Sequence, residues 1–218
     1  MTDALYASVL RLDRRAIRKL AITDPYSLHR VVYSLFDDTR TEAEKRGHDP
    51  SGIVFVDKGG NRLGRTILTL SDRAAAQGVI RDGEAFGEVE SRPIPEDFLR
   101  HPRYRFEVVV NPTVTSAGKR VPIKGRDAIE KWFVERSAEN WGFSAPAQSL
   151  QVGQVNVQQF KGKHGNHITL SQAQLTGLLE VTDEARFRES FARGIGRGRA
   201  FGCGLLQIRP VIDNPFGS

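Results

Sequence analysis

The sequence predicts an α+β fold made of two βαββαβ units in tandem. Three observations carry this. Strand-like alternation and helical spacing follow one another in the order β-α-β-β-α-β up to about residue 90. The same order returns from residue 103 onwards. Between them, residues 91–102 carry three prolines and read as a linker. That element order is the ferredoxin-like pattern. The expected organisation is residues 1–92 as a first domain, 93–102 as linker and 103–218 as a second domain. Identity between the halves is negligible, so only the order of elements repeats.

In the first half, residues 4–12 alternate well enough between apolar and polar for a strand. Thr23-Asp24-Pro25 starts a helix. The Asp24 carboxylate can cap free backbone N–H groups, and Pro25 suits the first helical position because it has no N–H to leave unpaired. Leu28, Val31, Val32, Leu35 and Phe36 then recur at helical spacing, and the helix is expected to run towards Lys45. Ile53-Val54-Phe55-Val56 is a strand, and Lys58-Gly59-Gly60-Asn61 is a hairpin turn, since glycines supply positive φ. Residues 65–70 return as a strand. A short helix is expected after Ser71-Asp72, and a fourth strand over 85–90.

In the second half, residues 103–110 form a strand with Tyr104, Phe106 and Val108 on one face, broken by Asn111-Pro112. Residues 124–141 read as a helix with Ala128, Ile129, Trp132 and Phe133 as its apolar stripe. Residues 150–160 are a strand, 161–166 a turn and 167–181 a long strand. The apolar phase of the long strand slips near Ser171-Gln172, which predicts a bulge there. Residues 183–193 are a helix with an acidic start and a basic end, stopped by Gly194. Residues 205–208 are the last strand.

Composition excludes several classes. The chain has 218 residues, 39% hydrophobic and 27% charged, an ordinary globular balance rather than a disordered, collagen-like or coiled-coil one. The longest apolar runs, such as Val108-Val109-Val110, fall far below the ~20 residues that span a bilayer. The opening Met-Thr-Asp-Ala-Leu-Tyr lacks the basic start and apolar stretch of a signal peptide. A cytoplasmic protein without a membrane partner is expected. A single cysteine, Cys203, excludes an internal disulfide framework and a zinc-ribbon cluster. Lys and Arg number 32 against 26 Asp and Glu, a net charge of +6. Residues 1–100 balance at 16 of each sign, whereas residues 101–218 hold 16 basic and 10 acidic groups. A basic field confined to one half suits a polyanion, and nucleic acid is the commonest.

Three stretches carry candidate chemistry. Residues 194–204 hold glycines at Gly194, Gly196, Gly198, Gly202 and Gly204, with Arg197 and Arg199 between. The register matches neither a dinucleotide-binding turn nor a Walker loop, and the run leads from a helix into a strand. Glycines let a backbone approach phosphates and the arginines can neutralise them; a flexible connection is the plain alternative. Tyr26 and His29 lie three apart near the positive end of a helix, on one face, with Arg30 beside them. Histidine exchanges protons near neutral pH and a tyrosine hydroxyl can orient a phosphate, although such a pair also occurs as surface decoration. The Lys161-Gly-Lys-His-Gly-Asn-His167 turn packs Lys161, Lys163, His164 and His167 together, as a basic hairpin tip for nucleic acid or as a solvated turn. No acid or cysteine stands near His164 and His167, so no metal is expected there. Cys203 has no base adjacent in sequence and is read as a small buried residue.

Four stretches resemble the CRISPR RNA-processing endoribonucleases of the CasE type, within the RAMP superfamily: Asp24-Pro-Tyr-Ser-Leu-His-Arg30, Tyr104-Arg-Phe-Glu-Val-Val-Val-Asn-Pro112, Gly118-Lys-Arg-Val-Pro122 and the glycine-rich run continuing into Leu205-Leu206. The resemblance implies two tandem ferredoxin-like, RRM-like domains. It implies metal-independent cleavage of precursor crRNA at the 3′ base of a CRISPR repeat stem-loop, by attack of a 2′-hydroxyl on the adjacent phosphate. Tyr26 and His29 match the family's active-site tyrosine and histidine. His29 would be general acid or base and Tyr26 would place the scissile phosphate. Arg197 and Arg199 would grip the RNA backbone, with Arg30, Lys161, Lys163, His164 and the loop glycines as further RNA contacts. Implied partners are the repeat RNA, its mature crRNA, and other subunits of a Cascade-like complex of type I-E or type IV. No cofactor is implied.

Overall fold

The alternation at the start of the chain becomes β1 (Tyr6–Asp13), an inner strand of a four-stranded antiparallel sheet. The computed structural model describes residues 4–41, 43–44, 51–162 and 165–212. After β1 come α1 (Arg14–Lys19), α2 (Pro25–Tyr33), β2 (Ile53–Gly60), β3 (Gly64–Ser71), β4 (Val79–Arg81), β5 (Glu84–Phe86) and β6 (Glu88–Pro93). The sheet order is β2-β3-β1-β6, the ferredoxin-like arrangement. Ile53, Val54, Phe55 and Val56 are all buried because β2 is covered on both faces. Ile53 and Phe55 join Leu10, Leu12 and Ile67 under Leu28, Val31 and Val32 of α2. Val54, Val56 and Leu70 point the other way, into the core of the second half.

Three expectations for this half change. The turn α1 was not foreseen; Asp13 caps it by accepting from the Ala16 N–H at 2.6 Å. The helix begun at Pro25 ends at Tyr33 rather than near Lys45. The Leu35 and Phe36 N–H groups bond back only three residues, tightening the chain so that both side chains are buried in the core. Residues 42 and 45 of that expected helix lie outside the described residues. No helix follows Ser71-Asp72: β4 and β5 form a hairpin there, turning through Asp82 (φ 51) and Gly83 (φ 78). Val79 and Phe86 bury on the helix side of the sheet, covering surface that the expected helix would have covered. The fourth strand consequently starts at Glu88.

The second half contains β7 (Arg103–Val110), β8 (Thr113–Ser116), β9 (Lys119–Pro122), α3 (Arg126–Asn140), β10 (Phe143–Ser144), β11 (Gln151–Lys161), β12 (His167–Val181), α4 (Glu184–Arg193) and β13 (Gln207–Pro210). Its main sheet reads β11-β12-β7-β13, again ferredoxin-like, with β10 on the other end of β12. Tyr104, Phe106, Val108 and Val110 share one face of β7 and pack with Ile129 and Phe133 of α3 and Phe187 and Phe191 of α4. Ala128 departs from the expected stripe; it is exposed, and the buried line runs Ile129, Phe133, Ser137 at four-residue steps. The β8–β9 hairpin, turning at Ala117-Gly118, is an insertion the sequence reading left as broken chain.

The expected bulge is on the other strand. β11 carries the irregularity between Val152 and Val155, opposite Gln174, while β12 keeps strict alternation through Ser171-Gln172. The slipped apolar phase of β12 has another cause. Ala173, Leu175 and Leu179 face the helices, whereas Leu170 lies on the opposite face against Phe160 and Cys203. Both faces of the strand are covered, at different points along it. No helix among the described residues is long and apolar enough to cross a membrane.

Gly142 links α3 to β10 with φ 73, and its carbonyl accepts from the Thr182 and Asp183 N–H groups, just ahead of α4, at 3.0 Å. A Cβ there would stand 2.5 Å from the Phe187 nitrogen and 2.6 Å from the Asp183 oxygen. Gly118 has φ 74 but open space around it. Gly118→Ala should therefore cost only the left-handed strain, about 1–2 kcal/mol. Gly142→Ala should cost about 3 kcal/mol or more, because backbone must shift as well. Urea unfolding of the two variants checks the order.

Candidate active site

A capping box fixes the start of α2. The Asp24 carboxylate accepts from the Ser27 N–H at 2.7 Å, and the Ser27 hydroxyl accepts from the N–H groups of Thr23 and Asp24 at 2.9 and 3.0 Å. With Pro25 at the first turn, the helix enters at a defined angle. Tyr26, His29 and Tyr33 then fall along one stripe. The Tyr26 and His29 rings lie 6.1 Å apart and nearly parallel, at 21°. Tyr33 packs on His29 at 4.1 Å, and its hydroxyl accepts from Ser51 at 3.0 Å.

The glycine-rich loop closes over this stripe. Gly194, Gly196, Gly198, Gly202 and Gly204 all have φ between 68 and 87, a region that L-residues with a side chain enter only under strain. Far from being a loose connection, the loop is knotted by backbone bonds. Ile195 donates to Gly204 at 2.9 Å, Cys203 to Gly198 at 3.3 Å, and Gly204 to Val109 of β7 at 2.7 Å. A side chain on Gly204 would overlap the Ile195 carbonyl, and one on Gly198 would press on Leu170 and Cys203. Within the loop, Arg199–Phe201 forms a 3-10 turn that brings the Phe201 ring 5.8 Å from His29 and 5.0 Å from Phe160 of β11.

Burial dominates the electrostatics at His29. Desolvation of the ring holds its pKa below the ordinary 6.5, and a hydrogen bond with the Ala200 backbone opposes this only in part. The imidazole is therefore neutral at pH 7. Its Nδ1 is buried and has no hydrogen-bond partner among the described residues. Burial acts on Cys203 too, pushing its thiol up to about 12, so the thiolate is not populated near neutrality.

The structure brings together Tyr26, His29 and the glycine loop. It separates the others. Arg30 is exposed on a different flank of α2, in a groove with Ser27, Ser34 and Ile80. Lys161 is exposed at the end of β11, paired with His167 and alternating away from Phe160, which faces Phe201. Lys163 and His164 lie outside the described residues. The two loop arginines differ: Arg197 is exposed, whereas Arg199 donates to the Arg193 carbonyl at 3.0 Å and closes the end of α4. Among the described residues, no group of three or more His, Cys, Asp and Glu side chains is arranged to hold a metal ion.

Sequence reasoning missed Tyr33 and Phe201, the rings that pack on His29, and Phe160, which packs behind Phe201. Tyr33 was legible as the next helical neighbour of His29, four residues on. Phe160 and Phe201 meet only through the tertiary fold.

Known proteins resemble this arrangement over nearly its whole length. A family model described as "CRISPR associated protein" matches residues 5–210. The CRISPR-associated endoribonuclease Cse3 of Thermus thermophilus is 27% identical over 214 residues, covering 93% of this chain and 97% of its own. A structure of CRISPR endoribonuclease Cse3 bound to a 19 nt RNA superposes with a TM-score of 0.76 at 24% identity, covering 95% of this chain and 100% of that one. The CRISPR-associated protein Cas6e from Escherichia coli str. K-12 superposes with a TM-score of 0.61 at 18% identity, covering 94% and 100%. Both solved structures share the fold of this chain.

The lowered pKa of His29 has a consequence for stability. The unfolded chain protonates this ring before the folded one does, so the folded state binds fewer protons just below pH 6.5. The ring's contribution is whole above that value and is lost as the pH falls towards the folded pKa. Urea midpoints at about pH 7.5 and about pH 5.5 should differ more for the wild type than for His29→Phe, which keeps the ring stacking and removes the titration.

Proposed function

Because this chain belongs to the CRISPR-associated protein family, we propose that it is an endoribonuclease that binds the stem-loop of a CRISPR repeat and cuts precursor crRNA at the 3′ base of the stem. The observation that carries the reading is the neutral His29 ring stacked near Tyr26 at the start of α2, beneath the glycine loop. The named activity of the Thermus relative and the RNA held by a structure of the same fold support it.

The chemistry we assign needs no metal. A neutral imidazole accepts the proton of the 2′-hydroxyl; the 2′-oxygen bonds to the adjacent phosphorus as the bond to the 5′-oxygen breaks. The leaving 5′-oxygen takes its proton from solvent water and the imidazolium returns its own to solvent, so the products are a 2′,3′-cyclic phosphate and a 5′-hydroxyl. Tyr26 positions the scissile phosphate, aided by the positive start of α2. Lys161 and Lys163 are assigned to RNA binding, and Arg197 with Arg199 to the strand backbone. Arg30 and His164 contribute to RNA binding in this reading. The boundaries 1–92 and 103–218 divide the chain into a unit bearing Tyr26 and His29 and a unit bearing the loop. The cleaved product stays bound, and the chain acts as a subunit of a Cascade-like complex of type I-E or type IV.

One observation favours a second reading, a subunit that caps guide RNA without cutting. His29 is enclosed by Tyr33 and Phe201, with a buried nitrogen that has no hydrogen-bond partner among the described residues. Incubating the purified protein with cognate repeat RNA in EDTA separates the two. Cleavage to a cyclic phosphate is expected, slowed at least about 100-fold by His29→Ala with binding held within a few-fold. Wild-type protein that binds the RNA and leaves it intact would sink the nuclease and leave the cap.

A further inference from the structure

The glycine loop has a second side. Between it, the β8–β9 hairpin and the outer flank of α3 lies an open groove of about 780 Å³. Its lining is of one sign: Arg120 from β9, Arg136 from α3, and Arg197 and Arg199 from the loop, with no Asp or Glu. Arg120 and Arg197 have no carboxylate partner among the described residues, and Arg136 reaches only Glu139, at 3.8 Å on the exposed helix surface. Two polar atoms of the wall are buried without a partner, the Trp132 indole nitrogen and the Asn111 side-chain oxygen. One is a donor and the other an acceptor.

One loop joins the groove to the candidate active site. The loop that lines it with Gly194, Gly196 and Gly198 also carries Phe201 to the His29 ring. The four residue steps from Arg197 to Phe201 span at most about 14 Å. A strand lying across His29 therefore reaches the arginines within a few nucleotides. The volume is that of a site enclosing a small ligand, so it suits a nucleotide or two of single strand rather than the width of a duplex.

We propose that this groove is a second RNA-contact surface, holding the phosphodiester backbone of the single-stranded segment that flanks the cleaved stem-loop. The arginines neutralise its phosphates, and Trp132 and Asn111 offer a donor and an acceptor to sugar hydroxyls or base edges. The proposal rests on the RNA-binding reading above but not on catalysis.

The test compares two RNAs, the bare repeat stem-loop and the same stem-loop with single-stranded flanks. Their binding to wild type and to the Arg120→Ala/Arg136→Ala double variant is measured over a range of salt concentrations. Each lost single-strand phosphate contact flattens the log–log salt slope by about 0.7, so the variant should lose about 1.4 on the flanked RNA, with affinity down roughly tenfold. Its binding of the bare stem-loop should match wild type, which also shows that the variant folds. Arg120→Lys with Arg136→Lys should keep the slope. Equal losses on both RNAs would overturn the proposal by giving the groove to the stem, and no loss on either would give it to an acidic protein surface. A wild type that shows the flank effect yet never cuts would sink the nuclease and leave the groove standing.

Discussion

Closure of the glycine loop between the two sheets is the constraint on which the rest of the molecule depends. Five left-handed glycines let the chain fold back on itself tightly enough for Gly204 to reach the Val109 carbonyl and for Ile195 to reach Gly204. The residues beside those glycines do the joining. Ile195, Leu205 and Leu206 lie in the same core cluster as Val54, Val56 and Leu70 from the first sheet. A Cβ on Gly194 would stand 2.7 Å from Val54, and one on Gly202 would stand 3.5 Å from the Phe55 ring. The backbone is close because nothing but hydrogen occupies those positions. Any looser loop would part the two halves and lift Phe201 from His29 together.

That packing also sets the electrostatics. His29 stands in the first half of the chain, yet much of its cover, Phe201 and the Ala200 backbone, comes from the second. Enclosure keeps the ring uncharged, the state in which an imidazole can take a proton. Four of the second half's basic groups, Arg120, Arg136, Arg197 and Arg199, lie along the same loop and the groove behind it. Under the proposed function the base and the phosphate-binding groups thus come from different sheets, so catalysis would require the interface between them to hold. Both loop arginines line the groove, but Arg199 is also tied to the end of α4 through the Arg193 carbonyl, whereas Arg197 is exposed.

Legibility varied with how local each signal was. β12 and α4 emerged where periodicity and capping put them, since alternation over fifteen residues or an Asp183 cap with a Gly194 stop is decided within the segment. The two inserted hairpins carried an equally local signal, Asp82-Gly83 and Ala117-Gly118 in left-handed turns, which the pull of a regular βαββαβ order masked. The bulge was misplaced for a different reason. An apolar phase slip in β12 looks the same in one dimension whether the strand bulges or both its faces are covered.

By itself the sequence determined the α+β class, the doubled element order, the start of α2 with Tyr26 and His29 on one face, and the second half as the basic one. Each follows from spacing, capping chemistry or charge count, which need no distant partner. Only the tertiary structure decided that Phe201 covers His29 with Phe160 behind it, that Arg30 faces elsewhere, and that Arg120 and Arg136 line a groove with the loop arginines. Those relations join residues up to about 170 positions apart, and such contacts exist only after burial of Val54, Val56 and Leu70 has drawn the two sheets together.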